Sequence, residues 1–138
     1  MVENKLVIED FWGEKLTNVE IIHSEDIDFT RIKEIKKISL GFGSKSITIT
    51  PISDTDEVKV ELINKPTLGN NLEEANIFTC YIGKKLGIIW ESTNIRGYFD
   101  MYIIGFEYLH PNILILCEGS ALLLFEANPF NLASSPKP

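Results

Sequence analysis

Residues 90–100, W-E-S-T-N-I-R-G-Y-F-D, concentrate side chains able to stack, hydrogen-bond and carry charge around one short break. Trp90, Asn94, Arg96, Tyr98 and Asp100 form a candidate binding set: two amphipathic aromatics, an amide, a guanidinium and a carboxylate on a hairpin. Glu91 and Asp100 flank the same turn. Two carboxylates brought together across a ladder push one pKa up, which is how a general acid is made, so this pair defines a hydrolase or lyase alternative. A structural account competes with both. Asn94 and Gly97 tolerate the backbone of a tight turn, Asp100 can accept N–H groups across it, and an Arg96–Asp100 ion pair would brace it.

Other chemistries find less support. Ser120 in Cys-Glu-Gly-Ser-Ala lacks the second glycine of a nucleophile elbow and lies between predicted strands. The only histidines, His23 and His110, fall at a strand end and before Pro111, as solvated turn residues. The run from Asp54 to Glu57 resembles the start of a calcium loop, but Lys59 and Lys65 occupy the positions that need glycine and glutamate, so a hairpin turn capped by aspartates is expected. Gly41, Gly43, Lys45 and Ser46 lack phosphate-loop spacing and also read as a hairpin. No metal or cofactor is expected. Cys80 and Cys117, in apolar runs without C-x-x-C spacing, read as buried reduced thiols.

These residues need strands to position them. Apolar residues recur with period two at Val19 and Ile21, at Ile38, Leu40 and Phe42, at Ile47 and Ile49, and at Val58, Val60 and Leu62. Short turns separate them, predicting an antiparallel meander. Residues 64–71 form a longer loop before a second strand group at 86–91, 98–107, 112–118 and 121–126. That group is continuously apolar, which predicts strands covered on both faces. The covers expected are short helices around 25–36 and 72–78, or closure of a curved sheet. Residues 6–12 are ambiguous between strand and helix.

The fold class is thus β-rich α+β: one domain over 1–127, predominantly antiparallel, with about seven or eight strands and one or two short helices. The expected core includes Ile38, Leu40, Ile47, Ile49, Val60, Ile89, Ile103, Phe106, Ile115 and Leu123. Residues 128–138 hold three of the six prolines and read as a flexible tail.

The chain of 138 residues carries a net charge of -7, and residues 1–28 hold -6 of it: Glu3, Glu9, Asp10, Glu14, Glu20, Glu25, Asp26 and Asp28 against Lys5 and Lys15. Such a field opposes nucleic acid and anionic membranes and favours a basic protein partner. The amino terminus lacks a secretory pattern, and the greasiest stretch falls short of the roughly 20 apolar residues that span a bilayer, so a cytoplasmic location is expected.

Ile82-Gly83-Lys84-Lys85-Leu86, Trp90, Asn94, Gly97-Tyr98-Phe99-Asp100, Phe106 and Ser120 resemble a pattern of small uncharacterised bacterial proteins, in which W-x-x-x-N-x-x-G-Y-x-D leads into an apolar strand. Families of this kind resemble immunity proteins of bacterial toxin systems. The resemblance implies no catalytic residue. The expectation is therefore a non-enzymatic protein-binding module, an immunity-type inhibitor of a basic toxin. The carboxylate-dependent enzyme and a protein self-associating through an edge strand are the alternatives.

Overall fold

The computed structural model describes residues 6–24, 34–69, 76–107 and 110–127. Eight strands form one predominantly antiparallel sheet curled into a half-barrel: β1 (Asn18–His23), β2 (Ile35–Phe42), β3 (Lys45–Ile52), β4 (Glu57–Ile63), β5 (Leu86–Thr93), β6 (Phe99–Phe106), β7 (Ile113–Glu118) and β8 (Ala121–Glu126). The order is β4-β3-β2-β8-β7-β6-β5, with β1 paired to β2. Two meanders, β1–β4 and β5–β8, are joined at the pair Ile35↔Leu122.

The predicted period-two faces are those buried. Ile38, Leu40 and Phe42 on β2 and Ile47 and Ile49 on β3 meet Tyr102, Ile104 and Phe106 on β6 and Ile113, Ile115 and Cys117 on β7 in one core. Turn chemistry follows composition. Gly43, at φ 68°, starts the two-residue β2–β3 loop. Gly119 and Ser120, both left-handed, close β7–β8 as a mirror-image turn whose twist matches the strands. The aspartate-rich β3–β4 turn fastens the two meanders together: Asp56 Oδ1 accepts the Ser120 N–H (2.9 Å) and Glu57 Oε2 accepts the Phe99 N–H (3.0 Å).

Several expectations need correction. The second strand group is buried on its inner face only. The register sets Leu114 beside Phe125 and Leu116 beside Leu123 on the outer face, leaving Leu123 38% and Phe125 46% exposed. Leu123 is therefore not core, and Ile103, on the same outer face, is half-buried. Val60 and Ile89 are also half-buried, because they border a cleft described below. Ile38, Leu40, Ile47, Ile49, Phe106 and Ile115 are buried as expected.

Ile35 and Lys36 begin β2 rather than ending a helix, while the rest of the helix expected over 25–36 lies outside the described residues. Near the second expected helix stands a 3-10 turn, Asn76–Tyr81, and residues 6–12 resolve into another, Ile8–Phe11. Cys80 is exposed, because Phe78 takes the inward position of its turn; Cys117 is the buried thiol. The tail expected over 128–138 lies outside the described residues.

Candidate functional site

Asn94 builds the β5–β6 turn. Its Oδ1 accepts the N–H groups of Arg96 (2.9 Å) and Tyr98 (3.2 Å), and its Nδ2 donates to Asp100 Oδ2 (3.2 Å). Asp100 thus takes a bond from Asn94, and no Arg96–Asp100 ion pair forms among the described residues. Ile95, Arg96 and Tyr98 stand exposed on the loop. Trp90 lies on the outer face, opposite Ile103.

Glu91 and Asp100 do not face each other. The pairing shifts between Ser92 and Thr93, so that Ser92 meets Met101 and Thr93 meets Phe99, leaving Asp100 as the extra residue of a bulge. Glu91 stands opposite Tyr102 instead, on the inner face.

That face opens into a cleft of about 440 Å³ lined by Ile8, Trp12, Val60, Leu62, Ile89, Glu91 and Tyr102. Its position follows from the topology. β4 and β5 are the two ends of the curled sheet, and the cleft lies where Val60 and Leu62 of one approach Ile89 and Glu91 of the other. The third wall is the 3-10 turn Ile8–Phe11 with Trp12, pinned from both sides. Phe11 is buried edge-on against Phe42, and Lys45 donates to the Asp10 carbonyl (2.6 Å). Beyond Gly13, residues 13–16 pair with 83–86 through Gly13 N to Leu86 O (3.3 Å), Leu86 N to Glu14 O (2.9 Å), Leu16 N to Lys84 O (2.9 Å) and Gly83 N to Leu16 O (2.8 Å).

Electrostatically the cleft is simple. Burial pushes the Tyr102 phenol well above its ordinary pKa, and the Glu91 carboxylate raises it further, so the hydroxyl stays neutral. Among the described lining side chains, Glu91 carries the single formal charge, in a wall otherwise apolar and aromatic. Glu9 and Asp10 add acidity on the turn that supplies Ile8. Of residues 90–100, Glu91 alone lines the cleft. A second depression, about 480 Å³, follows the β2–β8 seam past Ile35 and Leu123, but its Glu34 already pairs with Lys36 (3.0 Å). Among the described residues no group of three or more histidine, cysteine or acidic side chains is arranged to hold a metal ion.

The profile of a family of unknown function, DUF6334, matches residues 1–131. The chain belongs to this family. No curated protein and no solved structure matches. An uncharacterised family is what residues 82–120 resembled in sequence, and membership in it brings no activity with it. No helix among the described residues is long and apolar enough to cross a membrane.

Val60 and Leu62 read as an ordinary period-two strand and Tyr102 as part of a continuously apolar one, while Ile8 and Trp12 lie in a stretch ambiguous between strand and helix, so none of the five stood out as a site residue. One signal was available: Trp12 beside Gly13 after two acids, a large aromatic where the chain must turn.

Proposed function

We propose that this protein is a non-enzymatic protein-binding module, an immunity-type inhibitor of a basic toxin, and that its cleft receives a lysine or arginine side chain of that partner. The observation that carries this reading is the lining: among the described residues, aliphatic and aromatic walls with one carboxylate, Glu91. The hydrocarbon stem of a long cationic side chain packs against Ile8, Val60, Leu62 and Ile89, its head pairs with Glu91, and the Trp12 ring offers a cation–π face. In a chain of net charge -7, Glu9 and Asp10 on the turn that supplies Ile8 favour the approach of a basic partner.

The hydrolase or lyase alternative needs two carboxylates at one site. Glu91 lines the cleft and Asp100 does not, which favours the binding reading.

A photo-crosslinking residue at Trp12, introduced in the native cell, tests the proposal. It is expected to capture a protein of high isoelectric point, with capture lost in Glu91→Lys and kept in Glu61→Lys. Capture of acidic proteins alone, or capture indifferent to Glu91→Lys, contradicts it.

A further inference from the structure

β5 has an edge that is half occupied. Its first residue, Leu86, exchanges backbone hydrogen bonds with Gly13 and Glu14 on the side away from β6. The added strand ends there. Gly13, at φ 79°, and the 3-10 turn before it carry the chain off, so from Ile88 to Thr93 that side of β5 has no backbone partner among the described residues. An unpaired edge is a template for another chain, and proteins protect such edges with inward-pointing charges. Here the inward-pointing charge is Glu91, and Ile89 and Glu91 project from this edge into the cleft.

We propose that the partner docks as an extended segment adding a strand to the free edge of β5 along residues 88–93, with alternate side chains entering the cleft and a lysine or arginine among them meeting Glu91. The inference rests on the binding reading above and specifies its geometry. Main-chain hydrogen bonds would hold the segment, and the pocket beside the edge would select its side chains. The new strand continues the line that residues 13–16 begin.

Charge decides against a second copy as occupant. Two β5 edges paired antiparallel about this stretch, inner faces aligned, bring their Glu91 side chains directly opposite or diagonal, an arrangement that repels. A basic segment turns the same carboxylate from a guard into a contact.

The test uses the whole protein and a soluble decapeptide alternating threonine with valine or lysine. Two further copies are N-methylated on one or the other alternating set of backbone nitrogens, and a fourth carries glutamate for lysine. Nuclear magnetic resonance follows binding and amide exchange. The lysine peptide is expected to slow exchange of amides within 88–93. One methylated copy should bind at least about tenfold more weakly and the other nearly as well, since only one set of N–H groups faces β5. If both methylated copies bind like the parent while cleft signals still respond, edge pairing is overturned and the cation-binding cleft stands. If the glutamate peptide binds as well as the lysine peptide, the cation contact at Glu91 is overturned and with it the basic-partner reading. If no peptide perturbs the cleft or the edge, both fail.

Discussion

Glu91 and Tyr102 stand directly opposite each other across the β5–β6 ladder, an exposed carboxylate beside a buried phenol, both lining one cleft. The pairing continues the register of Ile89 with Ile104 and Trp90 with Ile103; beyond it the shift between Ser92 and Thr93 leaves Asp100 without a partner on β5, and Asp100 does not line the cleft.

The phenol makes stability depend on alkaline pH. Its folded pKa lies above the ordinary value, through burial first and Glu91 second. Below the unfolded value of about 10 both states keep the proton, and above it the unfolded chain ionises first. Stability therefore falls as pH rises. Denaturant midpoints are expected to drop between about pH 9.5 and 11 in the natural protein and to drop less in Tyr102→Phe. Tyr81 and Cys117, also raised by burial, keep the variant from being flat.

Asn94 rather than Asp100 bears the hairpin. Asn94→Ala removes the acceptor of two backbone N–H groups and the donor to Asp100, and is expected to cost about 1–2 kcal/mol. Asp100→Ala loses one long bond from an exposed amide and is expected to cost under about 1 kcal/mol. Chemical denaturation of the two variants orders them, and the reverse order contradicts the assignment.

How much the sequence disclosed differs between the two meanders. In β1–β4 polar residues alternate with apolar ones, so Ile38, Leu40, Ile47 and Ile49 declared their inward direction before any register was known. In β7 and β8 both faces are apolar, and periodicity could not separate buried Ile115 from exposed Leu123. The turn residues of the candidate hairpin were legible, since Asn94 and Gly97 advertise a turn. The bulge was not: counted from the turn pair of Thr93 with Phe99, Glu91 would meet Met101, the one-residue shift between Ser92 and Thr93 moves it to Tyr102, and no residue type in 90–100 marks that shift. The cleft depends on which strands end the sheet, a property of topology that joins Trp12, Val60 and Ile89 from three distant segments.

The two faces of β5–β8 differ in cost. Ile115→Ala empties a fully buried position and is expected to lose about 2–5 kcal/mol. Leu123→Ala on the outer face should lose much less, under about 1.5 kcal/mol, because a third of that side chain already meets water. Thermal or urea unfolding of the pair measures the difference, and equal losses would contradict the exposed outer face.

Gly41 is a close-approach position. A Cβ there would collide with Asn18 Oδ1, and Asn18 is held by its Nδ2 bonds to the carbonyls of Thr67 (2.7 Å) and Gly69 (2.8 Å). Gly41→Ala is expected to cost about 1–3 kcal/mol and to loosen the 64–69 loop. Gly69→Ala meets the Glu20 side chain from its carboxylate back to Cγ, a chain that a rotamer change can move aside, and should cost less, which urea midpoints of the two variants will show.

The two tryptophans report on the two sides of β5, since Trp12 lines the cleft and Trp90 faces outward opposite Ile103. Following both indole N–H resonances while titrating the lysine-bearing decapeptide therefore tests most directly whether the cleft, rather than the hairpin or the outer face, receives a cation. The account predicts that the Trp12 signal shifts saturably, that Trp90 stays nearly still, and that Glu91→Gln suppresses the response. A Trp90 shift with Trp12 silent, or a Trp12 shift that survives Glu91→Gln unchanged, would contradict it.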